Sequence, residues 1–442
     1  MIDAPTGQIA AALALQFRLQ QTERIPKEQR KIIQNRSIDK LLNHALKTVP
    51  YYQDHPQIQA MQGEIEWMSL PILTREILQK NTGRLLSTAP PDNHGQHYEF
   101  KSSGSTGRPV KTYSSDYAQL FWRAITVREH LWADRNFAGR MATIKYFGDG
   151  KHKYPGVKQT SWGQSTQTLG YQAEMAILNS SESLERQYDW LTETQPDYLL
   201  TYPSNLQELA RIHLHKKRSI SLKNISTLGE NLSPEVRALV HQAFRCKISD
   251  MYSSQEVGYM ALQCPKHDHY HVQSENCIVE ILNEDNQPCR PGEIGRVIVT
   301  TLQNYVMPLI RYEIGDYAIP GHGCDCGIQL PVIQRIIGRT RNLLTYPDGR
   351  KSWPSYNPMA LMDIFKDARF QLVQTTLNDI TLHVQTTQAI TQDIEEKATS
   401  IIQTAMGHPF NILIQATKNI QRAPSGKYEE FKSEILNQKT EV

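Results

Sequence analysis

Between residues 98 and 320, short apolar runs of strand length alternate with segments of helical periodicity. The clearest succession of these runs is Asp197–Thr201, Leu206–His215, Ile225–Leu228, Pro234–Phe244 and Lys247–Met251. Parallel strands need a long crossover between them, and that crossover is usually a helix. The alternation therefore favours an α/β domain with a largely parallel sheet.

The pattern changes towards the C-terminal end of the chain. Cys277–Leu282 and Gly295–Leu302 read as strands separated by a turn-rich segment, which predicts a β-rich subdomain. After Gly338 the pattern restarts as mixed helix and strand, with the runs Phe370–Thr376, Ile380–Val384, Thr391–Ala405 and Ile412–Ala416. A single core rarely extends over 442 residues. We therefore predict a large domain over 1–338 and a small α+β domain over 339–442.

The first 90 residues are predicted to be a mainly helical scaffold. Ile9–Phe17 is apolar but short and runs into Arg18, which favours an amphipathic helix over a signal peptide. Thr74 is placed to cap a helix that starts at Arg75. The six cysteines are too few for a disulfide framework in a chain of this length. We expect a cytoplasmic protein.

Charge and hydropathy exclude two classes of partner. Lys and Arg number 48 against 45 Asp and Glu, and a net charge of +3 gives no nucleic-acid signature. No segment reaches the roughly 18 uninterrupted apolar residues that a membrane span requires. We expect no nucleic-acid partner and no membrane partner.

The segment Lys101–Val110 is rich in glycine and hydroxyl residues and follows a strand-like Tyr98–Phe100. Glycines allow close approach to a polyphosphate, hydroxyls supply donors, and Arg108 adds a positive charge. The Gly-Lys-Ser/Thr ending of the Walker motif is absent, which argues against a P-loop kinase or GTPase. The phosphate-binding candidates are Ser102, Ser103, Gly104, Ser105, Thr106 and Gly107.

Five further segments follow that loop in a fixed order. They are Leu228–Ser233, Asp250–Glu256, Arg311–Asp316, Gly338–Asn342 and Arg422–Lys427. Together with the loop they resemble the adenylate-forming superfamily of acyl- and aryl-CoA synthetases, and within it the phenylacetate-CoA ligase and CapK-like branch. The resemblance spans nearly the whole chain.

The resemblance implies a nucleotide site with ATP and Mg²⁺. Asp316 matches the aspartate that holds the ribose hydroxyls, and Glu256 matches a magnesium-binding glutamate. Tyr252 matches the residue that stacks on adenine. The remaining nucleotide-binding candidates are Gly229, Glu230, Ser253 and Arg339.

The resemblance also implies a moving C-terminal lid. Lys427 matches the catalytic lysine that offsets charge between the carboxylate and the α-phosphate, and Arg341 matches the hinge about which the small domain turns. The Arg341-Asn342 pair replaces the family's acidic hinge pair. Leu344–Arg350 is closer to the CapK-like proteins than to phenylacetate-CoA ligase.

A cysteine and histidine pattern suggests a metal site. Cys264, Cys324 and Cys326 supply three thiolates, and an imidazole from His267, His269 or His271 would complete a closed tetrahedral zinc site. The residues alone leave the choice of imidazole open. The family resemblance favours His271 and then His267. A site with four protein ligands has no open position, so the predicted role is structural.

The resemblance implies a two-step function, in which a carboxylic acid forms an acyl-adenylate with release of pyrophosphate and the acyl group then passes to CoA. The aromatic residues Tyr146, Phe147, Tyr154 and Trp162 would suit an aryl acid, although core packing explains them equally well. The alternatives are an acid–amine or carrier-loading ligase, and a silent zinc-stabilised binding module. A monomer and a homodimer are both compatible with the sequence.

Overall fold

The computed structural model describes residues 7–61, 65–101, 110–148, 150–167, 173–339, 342–352, 354, 358–365, 368–386, 388–420 and 429–435. They form two compact units, one extending to Ile336 and the other beginning at Ile337. Among the helices described, none combines the length and the apolar character needed to cross a lipid bilayer.

The N-terminal region of the first unit is helical, as the sequence predicts. The Thr74 hydroxyl accepts a hydrogen bond from the Ile77 N–H at 3.3 Å, which confirms the predicted helix cap. Pro50 and Pro56 each occupy the first turn of a short helix, where proline leaves no additional N–H unsatisfied. The helices are α1 Gly7–Thr22, α2 Lys27–Thr48, α3 Pro50–Gln53, α4 Pro56–Ala60 and α5 Arg75–Lys80, and two 3₁₀ turns cover Trp67–Ser69 and Asp92–His94.

A two-stranded hairpin and a long helix lead into the main sheet. Strands β1 (His97–Lys101) and β2 (Lys111–Ser115) pair antiparallel, with Lys101 opposite Lys111. Helix α6 (Asp116–Trp132) starts at Ser115, whose hydroxyl accepts from the Ala118 N–H. This helix packs along α1 and along the strand Gly258–Gln263.

The predicted strand–helix alternation is confirmed. Five strands run parallel in the order β5-β3-β6-β7-β8, and β4 adds an antiparallel edge to β5. The elements are β3 Met141–Lys145, β4 Val157–Gln159, α7 Gln164–Gln167, β5 Met175–Asn179, α8 Leu184–Thr194, β6 Tyr198–Thr201, α9 Pro203–Lys216, β7 Asn224–Leu228, α10 Pro234–Phe244 and β8 Lys247–Ser254.

The same sheet continues into an antiparallel half. Among the described residues it has twelve strands in the order β11-β12-β13-β14-β10-β9-β8-β7-β6-β3-β5-β4. The added strands are β9 Gly258–Gln263, β10 Tyr270–Val272, β11 Cys277–Leu282, β12 Gly295–Thr301, β13 Tyr312–Pro320 and β14 Val332–Arg339. The predicted β-rich part is therefore an extension of the parallel sheet, because β9 turns back directly on β8.

Burial of the parallel strands explains why they read as apolar runs. Ala142, Ile144, Leu199 and Ile225 are fully buried against helices α8, α9 and α10. Burying each large aliphatic side chain stabilises the fold by about 1.5–3 kcal/mol. Strands of a parallel sheet are covered on both faces, which removes the polar alternation of a half-exposed strand.

The second unit contains a small mixed sheet and two helices. Strands β17 (Arg369–Gln374) and β18 (Asp379–Gln385) form the predicted hairpin. Strand β19 (Asn411–Thr417) pairs parallel with β18, and β20 (Phe431–Ser433) pairs parallel with β17. The remaining elements are β15 Leu344–Thr345, β16 Lys351–Ser352, α11 Pro358–Phe365 and α12 Gln392–Met406.

Candidate functional site

Asp316 and Tyr252 come from different strands and meet in the interior of the first unit. The Tyr252 hydroxyl donates a hydrogen bond to Asp316 Oδ2 at 2.8 Å, and both residues are buried. On β13, Asp316 takes an inward position of the row in which Tyr312, Ile314 and Ala318 are also buried. A carboxylate in such a row needs polar partners, and Tyr252 supplies one.

The turn after β7 places the predicted adenine-side residues. Gly229 has φ +79°, a left-handed conformation that glycine adopts without a Cβ penalty. Glu230 follows, and its Oε2 accepts a hydrogen bond from the Ser204 N–H at 2.9 Å. This bond joins the turn after β7 to the start of α9, which follows β6.

Glu256 lies in the turn between β8 and β9, beside a residue that the sequence did not single out. Arg75 Nη1 is 3.6 Å from Glu256 Oε1, and the Glu256 side chain is 8% exposed. Burial raises the pKa of nearby Tyr312, and the negative charge of Glu256 raises it further. The Arg75–Glu256 pair spans a long sequence separation, so no local pattern could indicate it.

Ser253 and Arg339 occupy strand positions. Ser253 is partly buried next to a register shift in the β8–β9 ladder. Arg339 is the last residue of β14, and its N–H donates to Asn342 Oδ1 at 3.2 Å. Asn342 in turn donates to the Phe431 carbonyl, within the second unit.

Several predicted site residues lie outside the described residues. They are the phosphate-loop candidates Ser102, Ser103, Gly104, Ser105, Thr106 and Gly107, the hinge Arg341 and the catalytic candidate Lys427. The strands that flank the loop segment, β1 and β2, are described and pair in register.

The structure brings four sulfur and nitrogen donors into one cluster, which we call the Cys₃His cluster. Its members are Cys264, His271, Cys324 and Cys326, whose ligand atoms all lie within 4.8 Å of one another. Cys264 Sγ is 3.8 Å from Cys324 Sγ, and Cys326 Sγ is 3.3 Å from His271 Nε2. A tetrahedron with Zn–S bonds of about 2.3 Å has an S–S edge of about 3.8 Å. The donor set therefore fits a tetrahedral zinc ion.

Backbone amides around the Cys₃His cluster point at its sulfurs. The N–H groups of Lys266, Cys326 and Ile328 donate to the Sγ atoms of Cys264, Cys324 and Cys326 respectively, each at 3.4 Å. Such donors favour the thiolate form, which is the form that binds a metal.

His271 is oriented for use of its Nε2 atom. Its Nδ1 lies 3.2 Å from the Leu330 carbonyl, a contact that holds the proton on Nδ1 and leaves Nε2 facing Cys326. Burial lowers the pKa of His271 to about 4, so the ring is neutral at physiological pH. Trp132 packs edge-on against the ring, with centroids 5.8 Å apart.

The other two candidate histidines take different positions. His267 Nε2 is 2.6 Å from Asp325 Oδ1, and His267 forms a separate group with Cys324 and Asp325. His269 packs between His267 and His271, with its ring centroid 5.1 Å from that of His267 and 5.3 Å from that of His271. Of the three, His271 is the histidine that lies in the Cys₃His cluster.

Comparison with known proteins finds curated relatives that match most of the chain. No known protein-family model matches it. Phenylacetate-coenzyme A ligase from Thermus thermophilus is 23% identical over 404 residues, covering 86% of each protein. Protein CapK from Staphylococcus aureus is 21% identical over 428 residues, covering 89% of this chain and 87% of CapK.

Solved structures show the same fold. 2-Hydroxyisobutyryl-CoA ligase, in the postadenylation state with R3-HIB-AMP, superposes with a TM-score of 0.70 at 17% identity. The match covers 95% of this chain and 93% of that enzyme. The chain is thus a homologue of phenylacetate-coenzyme A ligase and CapK, with the fold of the acyl-CoA ligases of the adenylate-forming superfamily.

Proposed function

We propose that this chain is an AMP-forming ligase that activates a carboxylic acid with MgATP and transfers the acyl group to CoA. The observation that carries this proposal is the match to phenylacetate-coenzyme A ligase across 86% of both proteins. The contact between Tyr252 and Asp316 supports it, because two distant motif segments meet there as a nucleotide site requires. An aryl acid is the leading substrate class, in line with that relative.

In the first step a carboxylate oxygen attacks the α-phosphorus of ATP. The bond to the β-phosphate oxygen breaks, pyrophosphate leaves and acyl-AMP forms. In the second step the CoA thiol loses its proton and its sulfur attacks the acyl carbon, and AMP leaves. Both steps need aligned reactants and compensation of developing negative charge.

Asp316 and Tyr252 are our candidates for the nucleoside end. Asp316 has two carboxylate oxygens, and Tyr252 occupies one side of Oδ2. This contact helps to orient the carboxylate, whose two oxygens can accept from ribose hydroxyls. We assign the adenine side to Gly229 and Glu230, with Ser253 beside them and Arg339 as a further ribose contact.

Glu256 is our candidate for holding Mg²⁺, since a carboxylate oxygen is a hard ligand. The magnesium ion, when bound, would offset charge on the phosphates. Arg75 orients the Glu256 carboxylate through their ion pair. The phosphate loop Ser102, Ser103, Gly104, Ser105, Thr106 and Gly107 is our candidate for holding the phosphates.

Lys427 is our candidate for the catalytic lysine of the first step, and Arg341 is our candidate for the hinge that carries it away before the second. The Cys₃His cluster would hold a structural zinc ion, because its four donors leave no coordination position for substrate. We place the protein in the cytoplasm as a monomer or homodimer, without a nucleic-acid or membrane partner.

The acceptor is the less constrained part of the proposal. The Arg341-Asn342 pair departs from the acidic hinge expected of the family. This departure leaves an amine or a carrier-bound thiol as the second candidate acceptor. Acyl-adenylate formation is common to both candidates.

A pyrophosphate-release assay tests the proposal. Parent protein, Asp316→Ala and Lys427→Ala are supplied with MgATP and a panel of aryl, cinnamyl, fatty, dicarboxylic and amino acids. Lys432→Ala is the matched control, since the ion pair described for Lys432 is a local one, at 2.9 Å to half-buried Glu434 just past β20. We expect release in the parent and the control, and loss in the other two variants.

CoA, amines and a phosphopantetheine thiol are then added separately to the parent with the active acid. The acceptor that raises turnover identifies the ligase type. A folded parent that neither binds ATP nor releases pyrophosphate from any acid contradicts the proposed function.

A further inference from the structure

The carboxyl ends of three parallel strands converge at one edge of the sheet. The Tyr146 N–H, just past β3, donates to the Tyr202 hydroxyl, just past β6, at 3.4 Å. The Ser204 N–H donates to Glu230, just past β7. In open α/β sheets, ligands bind outside the carboxyl ends of the strands. This edge is therefore where the acid substrate binds under the proposed function.

Lys145 is the last residue of β3 and lies at that edge. Alternation along the strand puts its side chain on the same face as Met141 and Thr143. Its ammonium lies 5.6 Å from the centroid of the Phe147 ring. Lys145 is half-buried, and burial lowers the pKa of its ammonium. Across the described residues, no carboxylate forms an ion pair with it.

A cation in this position costs free energy unless something compensates it. Removing an ammonium from water without a counter-ion is strongly unfavourable. A cation–π contact at the observed distance offsets only part of that cost. Most of the lysines paired in this structure sit at exposed positions, where such a cost does not arise, and Lys158 with Glu174 at 3.3 Å is typical. Among the described residues, half-buried Lys145 therefore has no anion that would offset this cost.

The backbone around Lys145 is held in place. The Lys145 carbonyl accepts from the Ser180 N–H at 2.9 Å, in register with the β3–β5 pairing. Fully buried Asn179 donates from Nδ2 to the Gly148 and Lys151 carbonyls, both at 2.8 Å. The strand end and the Gly148 and Lys151 carbonyls are thus held by hydrogen bonds within the protein, which is how a binding group is preorganised.

We propose that Lys145 binds a second carboxylate of the acid substrate, so that the enzyme activates dicarboxylic acids at one end. This inference rests on the proposed function and narrows its substrate class. The reacting carboxylate faces the nucleotide, and the distal carboxylate pairs with the Lys145 ammonium. Phe147, two residues after the end of β3, packs beside the substrate chain.

Matched acid pairs test this proposal. Glutarate, adipate, phthalate and terephthalate are each compared with the monocarboxylate in which a methyl group replaces the second carboxylate. The melting temperatures and ATP affinities of the parent, Lys145→Met and the control Lys158→Met are first measured and compared. Proteins that agree in both are then assayed by pyrophosphate release. We expect the parent to prefer the best dicarboxylate on the order of tenfold to hundredfold, the range of a charge-assisted contact.

In Lys145→Met that preference should disappear, mainly through KM, and Lys158→Met should keep it. Lys145→Glu provides a gain-of-function arm, because it should shift the preference to the ω-amino acid of the same length. Equal rates for dicarboxylates and monocarboxylates, with the same ratio in Lys145→Met, overturn this inference and leave the ligase proposal standing. Absence of release from every acid overturns the ligase proposal itself.

Discussion

The hydroxyl of Tyr252 on β8 reaches Asp316 Oδ2 on β13 at 2.8 Å, a contact that joins residues 64 positions apart. Strands β9, β10 and β14 lie between β8 and β13 in the order of the sheet, so the two side chains meet across its face. A tyrosine assigned to adenine stacking is thus also a partner of the carboxylate assigned to the ribose.

This contact predicts graded effects on ATP binding. Tyr252→Phe removes one hydrogen bond to a charged group, a change of about 1.5–3 kcal/mol, and should weaken ATP binding roughly tenfold or more. Asp316→Ala removes the acceptor itself and should weaken binding further. Isothermal titration with ATP measures both.

Tyr270→Phe is the matched control for this series. Its hydroxyl donates to buried Asp250 at 2.7 Å, a bond of similar length and burial to a residue that is not itself a nucleotide-binding candidate. That variant should lose thermal stability and keep its ATP affinity. Equal ATP affinity in Tyr252→Phe and the parent would argue against the assignment.

The ion pair between Arg75 and Glu256 predicts a change in magnesium dependence. Glu256→Gln should raise the Mg²⁺ concentration needed for half-maximal pyrophosphate release and lower the maximal rate, on the order of a hundredfold for a lost electrostatic contribution. Arg75→Gln should give a smaller shift in the same direction, because the carboxylate remains. Glu313→Gln, which breaks the Arg296 pair at 3.0 Å, is the control and should leave the Mg²⁺ curve in place. An unchanged Mg²⁺ curve in Glu256→Gln contradicts the role.

The sequence predicts the parts of this fold that depend on local pattern. Strand–helix alternation indicates β6 to β8, and the Thr74 cap marks the start of α5. It does not predict the order of the antiparallel strands, in which β14 lies between β13 and β10. That order depends on which long-range ladder buries most surface, a choice without local signal.

The same division holds for the candidate site. Asp316, Glu256 and the Cys₃His cluster residues sit in recognisable segments, whereas Arg75 acquires its partner only through folding. Lys145 is ordinary in sequence, and only its half-buried position, with no ion-pair partner among the described residues, makes it distinctive. The roles of Lys427, Arg341 and the phosphate loop lie outside the described residues and stay predictions.

The Cys₃His cluster predicts one bound zinc ion per chain. Cys326→Ser should lower the zinc content measured by inductively coupled plasma mass spectrometry to near zero and reduce the melting temperature, because structural zinc contributes directly to folding. Cys289→Ser is the control, as half-buried Cys289 lies outside the cluster. A chelator should lower the melting temperature of the parent towards that of Cys326→Ser. A parent purified with no zinc, and indifferent to added zinc, contradicts the site.

A buried network at the C-terminal end of α6 predicts how the stability of the protein depends on pH. Arg135 forms an ion pair with Glu129, and its Nη1 lies 2.6 Å from His130 Nδ1. Burial and the adjacent Arg135 charge together lower the pKa of His130 to about 4, against the opposing effect of Glu129. Burial alone would raise the pKa of Glu129, but Arg135 outweighs it and the net pKa is lowered.

Both shifts favour folding at neutral pH and oppose it in acid. Between the ordinary histidine pKa of about 6.5 and the folded value of about 4, the unfolded chain binds a proton at this position that the folded chain does not. The free energy of unfolding therefore falls as pH falls through this window, by up to about 3 kcal/mol from His130.

His130→Gln should flatten the dependence of the free energy of unfolding on pH between pH 6.5 and 4, whatever the stability of this variant at pH 7. His215→Gln, which changes an exposed histidine at the end of α9, should leave the slope intact. Urea unfolding at a series of pH values measures all three proteins, and parallel curves for the parent and His130→Gln would show that His130 does not titrate in this way.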